Sequence, residues 1–279
     1  EISKLIVGAK KPCYMEKPLA RDAREAREIA RLFKDADVPL YCAYYRRCMP
    51  KFDVVKQNID KIGEITSVTV TLHQPRHLGD KQHWHFDRPI SGGGLFLDVG
   101  CHMLDLVHYL VGPLEECHGA ASITLPNQGR VEGRLLLPVE DTVKGTWKHR
   151  LDNRTILGSA SFSFCSAIPR DEILIDGTLG RIAFSTFDNK PAVLSSPERL
   201  LILEAEEGTP DHVHQPMVQD VVDSIRILKR SNEKVQDEET KSSGVVGSRR
   251  LCCGMDAVRT SEVMDAMLNG RQKWDDEYV

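Results

Sequence analysis

No two cysteines in this 279-residue chain stand at Cys-x-x-Cys spacing; the eight of them, at 13, 42, 48, 101, 117, 165, 252 and 253, are scattered. That argues against a zinc ribbon and for reduced thiols in the cytoplasm rather than a disulfide frame. Cys252 and Cys253 are adjacent, a poor geometry for chelating one zinc. Uninterrupted apolar runs of roughly 18 residues are also lacking, so no membrane span is expected. The first residues do not show the charged-then-apolar pattern of a secretory signal. Positive charge is not in excess: the formal net charge is −4, which argues against nucleic acid as a partner, because phosphate binding needs a basic surface. No internal repeat is visible, and no G-x-G-x-x-G turn opens the chain.

What is present is enough for a sizeable core. Hydrophobic residues make up 41% of the chain, and the length suits one large domain or two ordinary ones. Residues 1–10 form a short helix-like end, then Cys13-Tyr14-Met15 reads as a strand closed by Glu16-Lys17-Pro18. Asp22-x-x-Glu25 signals a helix start, and Ala23, Ala26, Ile29, Ala30 and Phe33 follow at helical spacing. After Pro39, residues 40–44 read as a second buried strand. Strand, helix, strand with short links predicts a parallel βαβ unit, whose strand ends are where open α/β sheets bind ligands. Residues 50–61 read as a helix, Thr66 to Leu72 as a half-buried strand, and 74–91 as a polar loop. From about 117 to 205 the chain is rich in short strands, which predicts a large, open, mostly antiparallel sheet. Pro216 starts a helix carrying Val218, Val221, Val222, Ile225 and Leu228 on one side. Residues 230–254 are polar and aperiodic and read as a loop insert. A last helix is expected over 255–269.

One stretch stands apart. GGGLFLDVGCHMLDLVHYLVG (92–112) looks like buried helix, yet it carries Asp98, His102 and Asp105. Their i, i+4, i+7 spacing stacks them on one helical face. Charged groups are rarely buried unless paired or put to use. Two readings are open: a structural helix end with His102 hydrogen-bonded to Asp98, or a working site. Lys17 is placed at the C-terminal end of a parallel strand, facing the ligand crevice. Pro18 fixes a bend, cis or trans, that aims it.

Taken together, YMEKPLA (14–20), AYYRRCMPKF (43–52), IGEITSVTV (62–70), SGGGLFLDVGCHMLD (91–105) and DGTLGRIAFSTF (176–187) make the sequence resemble the glucose–fructose oxidoreductase / inositol dehydrogenase (Gfo/Idh/MocA) family. The resemblance covers nearly all of the chain except 230–254. It implies residues 1–45 as the C-terminal part of a Rossmann NAD(P)-binding domain and 46–279 as an α/β substrate and oligomerisation domain. It also implies an oxidoreductase that moves a hydride between NAD or NADP and a CH–OH group of a sugar, polyol or related small alcohol. By position, Lys17 answers to the family's catalytic lysine, His102 to its acid/base and Asp98 to the carboxylate beside it. Glu16, Lys17, Arg46 and Trp84 fall in segments that approach the cofactor or substrate. The residue types suit the chemistry: histidine titrates near neutrality and can take the hydroxyl proton. Asp98 would fix its tautomer or favour its charged form. Lys17 would favour the developing alkoxide.

Against the family pattern, roughly 80–100 residues, two to three βα units of about 30 each, are expected before Glu1. Tyr45 stands where relatives often carry Asn, and Cys48 where they often carry Phe. The alternative function is therefore a non-catalytic scaffold or oligomerisation subunit without the glycine cradle. A homo-oligomer through the open sheet is expected in either case.

Other candidates weigh less. His73, His77, His83 and His85 surround the polar loop, but no cysteine or paired carboxylate completes a ligand set, so no metal is expected. His212 and His214 read as a loop or capping pair. Asp105 is as readily a structural contact as a catalytic one, and His108 shares its helix. His149 reads as a sheet residue. Cys101 points about 100° away from its neighbour His102 on a helix.

Overall fold

The computed structural model describes residues 1–76, 84, 87–125, 130–131, 134–135, 139–151, 153–235 and 250–268. His77, His83 and His85, most of the EGRLLLP segment and the greater part of the 230–254 insert lie outside the described residues.

The chain opens with α1 (Ile2–Gly8), then β1 (Cys13–Met15), α2 (Ala23–Asp35) and β2 (Leu40–Cys42). β1 and β2 pair in parallel, with Tyr14 opposite Tyr41, as the βαβ pattern predicts. α2 begins where Asp22 caps it: the carboxylate accepts from the Glu25 amide at 2.7 Å, satisfying one of the orphan donors of a helix start. Its buried stripe is Ala23, Ala26, Ala30 and Phe33. Small residues in three of those positions let the helix lie close to its neighbours.

A 3₁₀ turn, Tyr45–Cys48, leads into α3 (Pro50–Asn58) and a further 3₁₀ turn, Ile59–Ile62. β3 (Ile65–His73) follows, then α4 (Arg88–Ser91) and α5 (Cys101–Val111). The sheet strands are β4 (Glu115–Ser122), β7 (Thr142–Leu151), β8 (Arg154–Ser163), β9 (Arg170–Gly177), β10 (Arg181–Phe184), β11 (Ala192–Ser195) and β12 (Leu200–Leu203), with a separate small pair, β5 (Arg130–Val131) and β6 (Arg134–Leu135). Eight strands run in the order β12-β11-β10-β9-β3-β8-β7-β4. Every neighbour pair is antiparallel except β3–β8, where Val68 faces Gly158 in a parallel ladder. The sheet is thus mixed.

Alternation decides which face is covered. On β7 and β8 the inward residues Val143, Trp147, Ile156, Ala160 and Phe162 are buried, while Leu157 between them is exposed. α5 sits in the covered core, with ten of its eleven residues buried. The helical run 88–111 is apolar and long enough to cross a bilayer, and 72% of its apolar window is buried inside the fold. Here it is a core helix.

Two boundaries differ from the sequence expectation. α6 (Gln215–Val235) runs five residues past 230, so the insert begins later than its polar composition suggests. α7 (Gly254–Met267) packs on α2 and β2, and the segment leading into it runs beside β2: Cys42 N–H donates to Cys252 O at 2.9 Å. Asp265 on α7 accepts from the Ala23 amide at 2.8 Å. The end of the chain therefore completes the packing of its beginning.

Candidate active site

Lys17 leaves the end of β1, and the Lys17–Pro18 peptide is cis. Its ammonium donates to the Asp98 carboxylate at 2.6 Å and to the Asp98 carbonyl at 2.8 Å. Residues 81 positions apart are brought together, one from the end of β1 and one from the turn ahead of α5. Burial works against the Lys17 charge; the nearby Cys101 sulfur and the Asp98 carboxylate outweigh it and hold the pKa above its ordinary value.

Asp98 faces Lys17 because the helix is not regular there. Residues Phe96–Gly100 form a π turn ahead of α5. A π turn widens the helix and rotates the next residues around its axis, a feature common at functional sites. The expected single face of Asp98, His102 and Asp105 is therefore broken up. Among the described residues no hydrogen bond joins Asp98 to His102; the carboxylate is taken by Lys17, so the expectation that Asp98 fixes the His102 tautomer is corrected. Asp105 turns inward to Arg47, which grips it with two bonds of 2.6 and 2.7 Å. Thr260 and Cys252 donate to the same carboxylate. Burial penalises the Arg47 charge, and Asp105 outweighs that penalty and holds the guanidinium protonated. Asp105 is structural.

His102 is 5% exposed, and its Nδ1 is buried without a partner among the described residues. Tyr44 and Tyr45 meet its ring edge-on at 6.0 and 5.4 Å, and Phe187 at 6.2 Å. Burial, then Lys17, Arg46 and His214, drive its pKa well below the usual imidazole value. At neutral pH it is an uncharged base.

A cleft of about 270 Å³ opens beside the ion pair, lined by Glu16, Lys17, Trp84, Gly93, Gly94 and Asp98 among others. The glycine turn forms one wall. Gly92 takes φ +84, and a Cβ there would meet the Arg21 carbonyl at 2.7 Å, so only glycine brings this turn so close to the β1–α2 loop. Gly94 N–H donates to the buried Glu140 carboxylate at 2.8 Å, which pins the turn from behind. Trp84 is 55% exposed and offers a flat apolar surface. Arg46, expected near the cofactor, does not line this cleft; it lies over Phe187 at 4.4 Å and Tyr45 at 5.1 Å.

A second histidine, read from the sequence as half of a loop or capping pair, lies beside the first. His214 stacks on Tyr45 with ring centroids 4.2 Å apart, and its Nδ1 pairs with the Tyr14 hydroxyl at 3.2 Å. Two hundred residues separate Tyr14 from His214, and no local pattern reports such a pair. His73 bonds Ser161, and His149 lies in the core between Trp147 and the Pro113 carbonyl. Among the described residues no group of three His, Cys, Asp or Glu is placed to hold a metal.

An oxidoreductase of Formosa agariphila is 27% identical over 223 residues, covering 77% of this chain and 64% of the relative. The inositol 2-dehydrogenase of Rhizobium meliloti is 31% identical over 106 residues, 37% of this chain and 30% of the relative. The chain thus spans less than two thirds of either relative. A levoglucosan dehydrogenase solved with NADH and levoglucosan shares the fold at a TM-score of 0.71 and 21% identity, covering 98% of this chain and 75% of that structure. Residues 53–183 match the GFO/IDH/MocA C-terminal domain. The family model and these relatives support the Gfo/Idh/MocA family for this chain.

Proposed function

We propose that this chain carries the substrate-handling part of an NAD(P)-dependent oxidoreductase that interconverts a CH–OH group and a carbonyl on a sugar- or polyol-like substrate. The observation that supports it most is the joining of Lys17 to Asp98 at the mouth of a cleft, with a neutral His102 close enough to feel the Lys17 charge. The cleft is at the small end of ligand pockets, which run about 300–1,000 Å³. An exposed indole and a glycine wall suit the flat nicotinamide end of a dinucleotide, which Glu16, Lys17 and Trp84 would hold. When bound, the cofactor supplies the hydride acceptor or donor.

The chain's own residues handle the proton and the charge. Lys17 donates a hydrogen bond to the substrate oxygen and stabilises it as alkoxide character grows. Asp98 holds Lys17 in place and keeps it protonated. The hydroxyl proton passes to His102, at Nε2, since Nδ1 is sealed from solvent. A depressed His102 pKa keeps this base unprotonated below pH ~6.5, and activity falls only as pH drops through that lowered value.

In this reading residues 1–45 present Lys17 to the cofactor and 46–279 form the substrate and assembly part. Leu157, Leu200 and Ile202 are exposed on the outer face of the sheet, which favours a homo-oligomer built on that face. The decisive test is a fluorescence titration of the chain with NADH and NADPH, with a polyol turnover assay on wild type, Lys17→Ala and His102→Gln. Saturable binding and loss of turnover in both variants support the reading. No binding at saturating cofactor would instead favour a scaffold subunit.

A further inference from the structure

Among the described residues, Arg46 is a half-buried cation without a carboxylate. The other charged groups around it have partners of their own: Lys17 has Asp98 and Lys51 has Asp188 at 3.7 Å. The Asp171 carboxylate is near enough to favour the Arg46 charge, but its oxygens accept from the amides of Thr186 and Phe187 at 2.9 and 2.7 Å and form no ion pair with Arg46. Arg46 itself donates to neutral oxygens, the Thr186 carbonyl through Nη1 and the Tyr45 hydroxyl through Nη2. Its Nε is buried with no acceptor, as are His102 Nδ1 and Thr186 Oγ1. A guanidinium has five N–H donors. With one used on each terminal nitrogen and Nε sealed, one N–H remains on Nη1 and one on Nη2. A guanidinium with an N–H left on each terminal nitrogen keeps the donors of the fork that grips a carboxylate.

The fork is set beside the proposed reaction centre. Tyr45 and Phe187 each pack against both Arg46 and His102. The groups acting on His102 are all basic: Lys17, Arg46 and His214. Holding an unpaired charge in such a place is unfavourable, and an anion bound there would relieve it. We propose that Arg46, clamped between Tyr45 and Phe187 beside His102, is a subsite for a carboxylate on the substrate, so that the preferred substrate is a sugar acid rather than a neutral sugar. This rests on the oxidoreductase reading for the word substrate, but the binding itself does not.

The test is calorimetric titration of the full chain, with and without saturating NADH, using D-glucuronate against D-glucose and D-galacturonate against D-galactose. At least one uronate is expected to bind about tenfold or more tighter than its hexose, as a charge-assisted bond warrants, and to weaken with added salt. Arg46→Gln is expected to erase that preference, weakening uronate binding about tenfold more than hexose binding. Arg46→Lys, which keeps the charge but not the fork, should keep only part of it. Equal affinity for acid and hexose, no uronate binding, or an equal loss on both in Arg46→Gln overturns the proposal. So does inorganic phosphate competing as strongly as the uronate. If the variants fail to unfold cooperatively, the wild-type acid preference and its salt dependence decide alone. Uronate binding that depends on Arg46 without turnover would sink the oxidoreductase reading and leave the subsite. Lys17-dependent turnover of neutral polyols, with KM unchanged in Arg46→Gln, would do the reverse.

Discussion

Asp98 and Asp105 lie seven residues apart on one continuous helical stretch and meet opposite conditions. Asp98 sits in the π turn at the cleft mouth, paired with a lysine whose side chain is 15% exposed. Asp105 sits in the sealed interior of α5, forked by Arg47, with side chains only 2% and 3% exposed. A lysine is a mobile point charge that can swing to a ligand. An arginine fork locks geometry. The same residue type therefore borders a cleft at one end of the stretch and gives cohesion at the other, where Arg47–Asp105–Thr260 ties α5 to the 3₁₀ turn ahead of α3 and to α7.

The comparison breaks most visibly at Asp105. Asp105→Ala leaves Arg47 buried and unpaired, which should cost about 3–5 kcal/mol and show as a large fall in the urea midpoint. Lys17→Ala should do the contrary. It should lower kcat/KM by about 10²–10⁴-fold in the cofactor-competent enzyme while the urea midpoint moves less than in Asp105→Ala. Asp98→Asn should fall between on activity and near zero on stability, since Lys17 keeps the Asp98 carbonyl at 2.8 Å. If Asp98→Asn destabilises as much as Asp105→Ala, the distinction between the two ends is wrong.

A smaller effect sharpens the picture through pH. His102 and His108 both have folded-state pKa values below the imidazole value of 6.5, burial being the first cause in each, with His108 brought down to about 4. The folded chain therefore binds fewer protons than the unfolded one. The stability these groups carry is whole above pH ~6.5 and is lost as pH falls toward their folded values. Urea midpoints measured from about pH 7 to about pH 4 should decline, and His108→Gln should flatten part of that slope. An unchanged slope would mean His108 is not buried as neutral imidazole.

Much of this was readable in the sequence, and the pattern of successes has a reason. Asp22 with Glu25, the small-residue stripe of α2, and the alternation along β7 and β8 are local signals, written within one turn or one strand. Lys17, Asp98 and His102 could be named because each sits in a short motif. Their partners could not. That Asp98 binds Lys17 rather than His102 depends on the π turn, and nothing in the run LFLDVGC distinguishes a π turn from a regular one. The Tyr14–His214 hydrogen bond and the return of α7 to α2 join residues 200 and 242 positions apart.

The sequence by itself determined which elements form and which side chains could do acid–base work, because hydrophobic period, capping and side-chain chemistry act over a few neighbours. Only the tertiary structure decided which charge faces which. Pairing depends on where separate elements are packed by the shared core, and on which groups that packing removes from water.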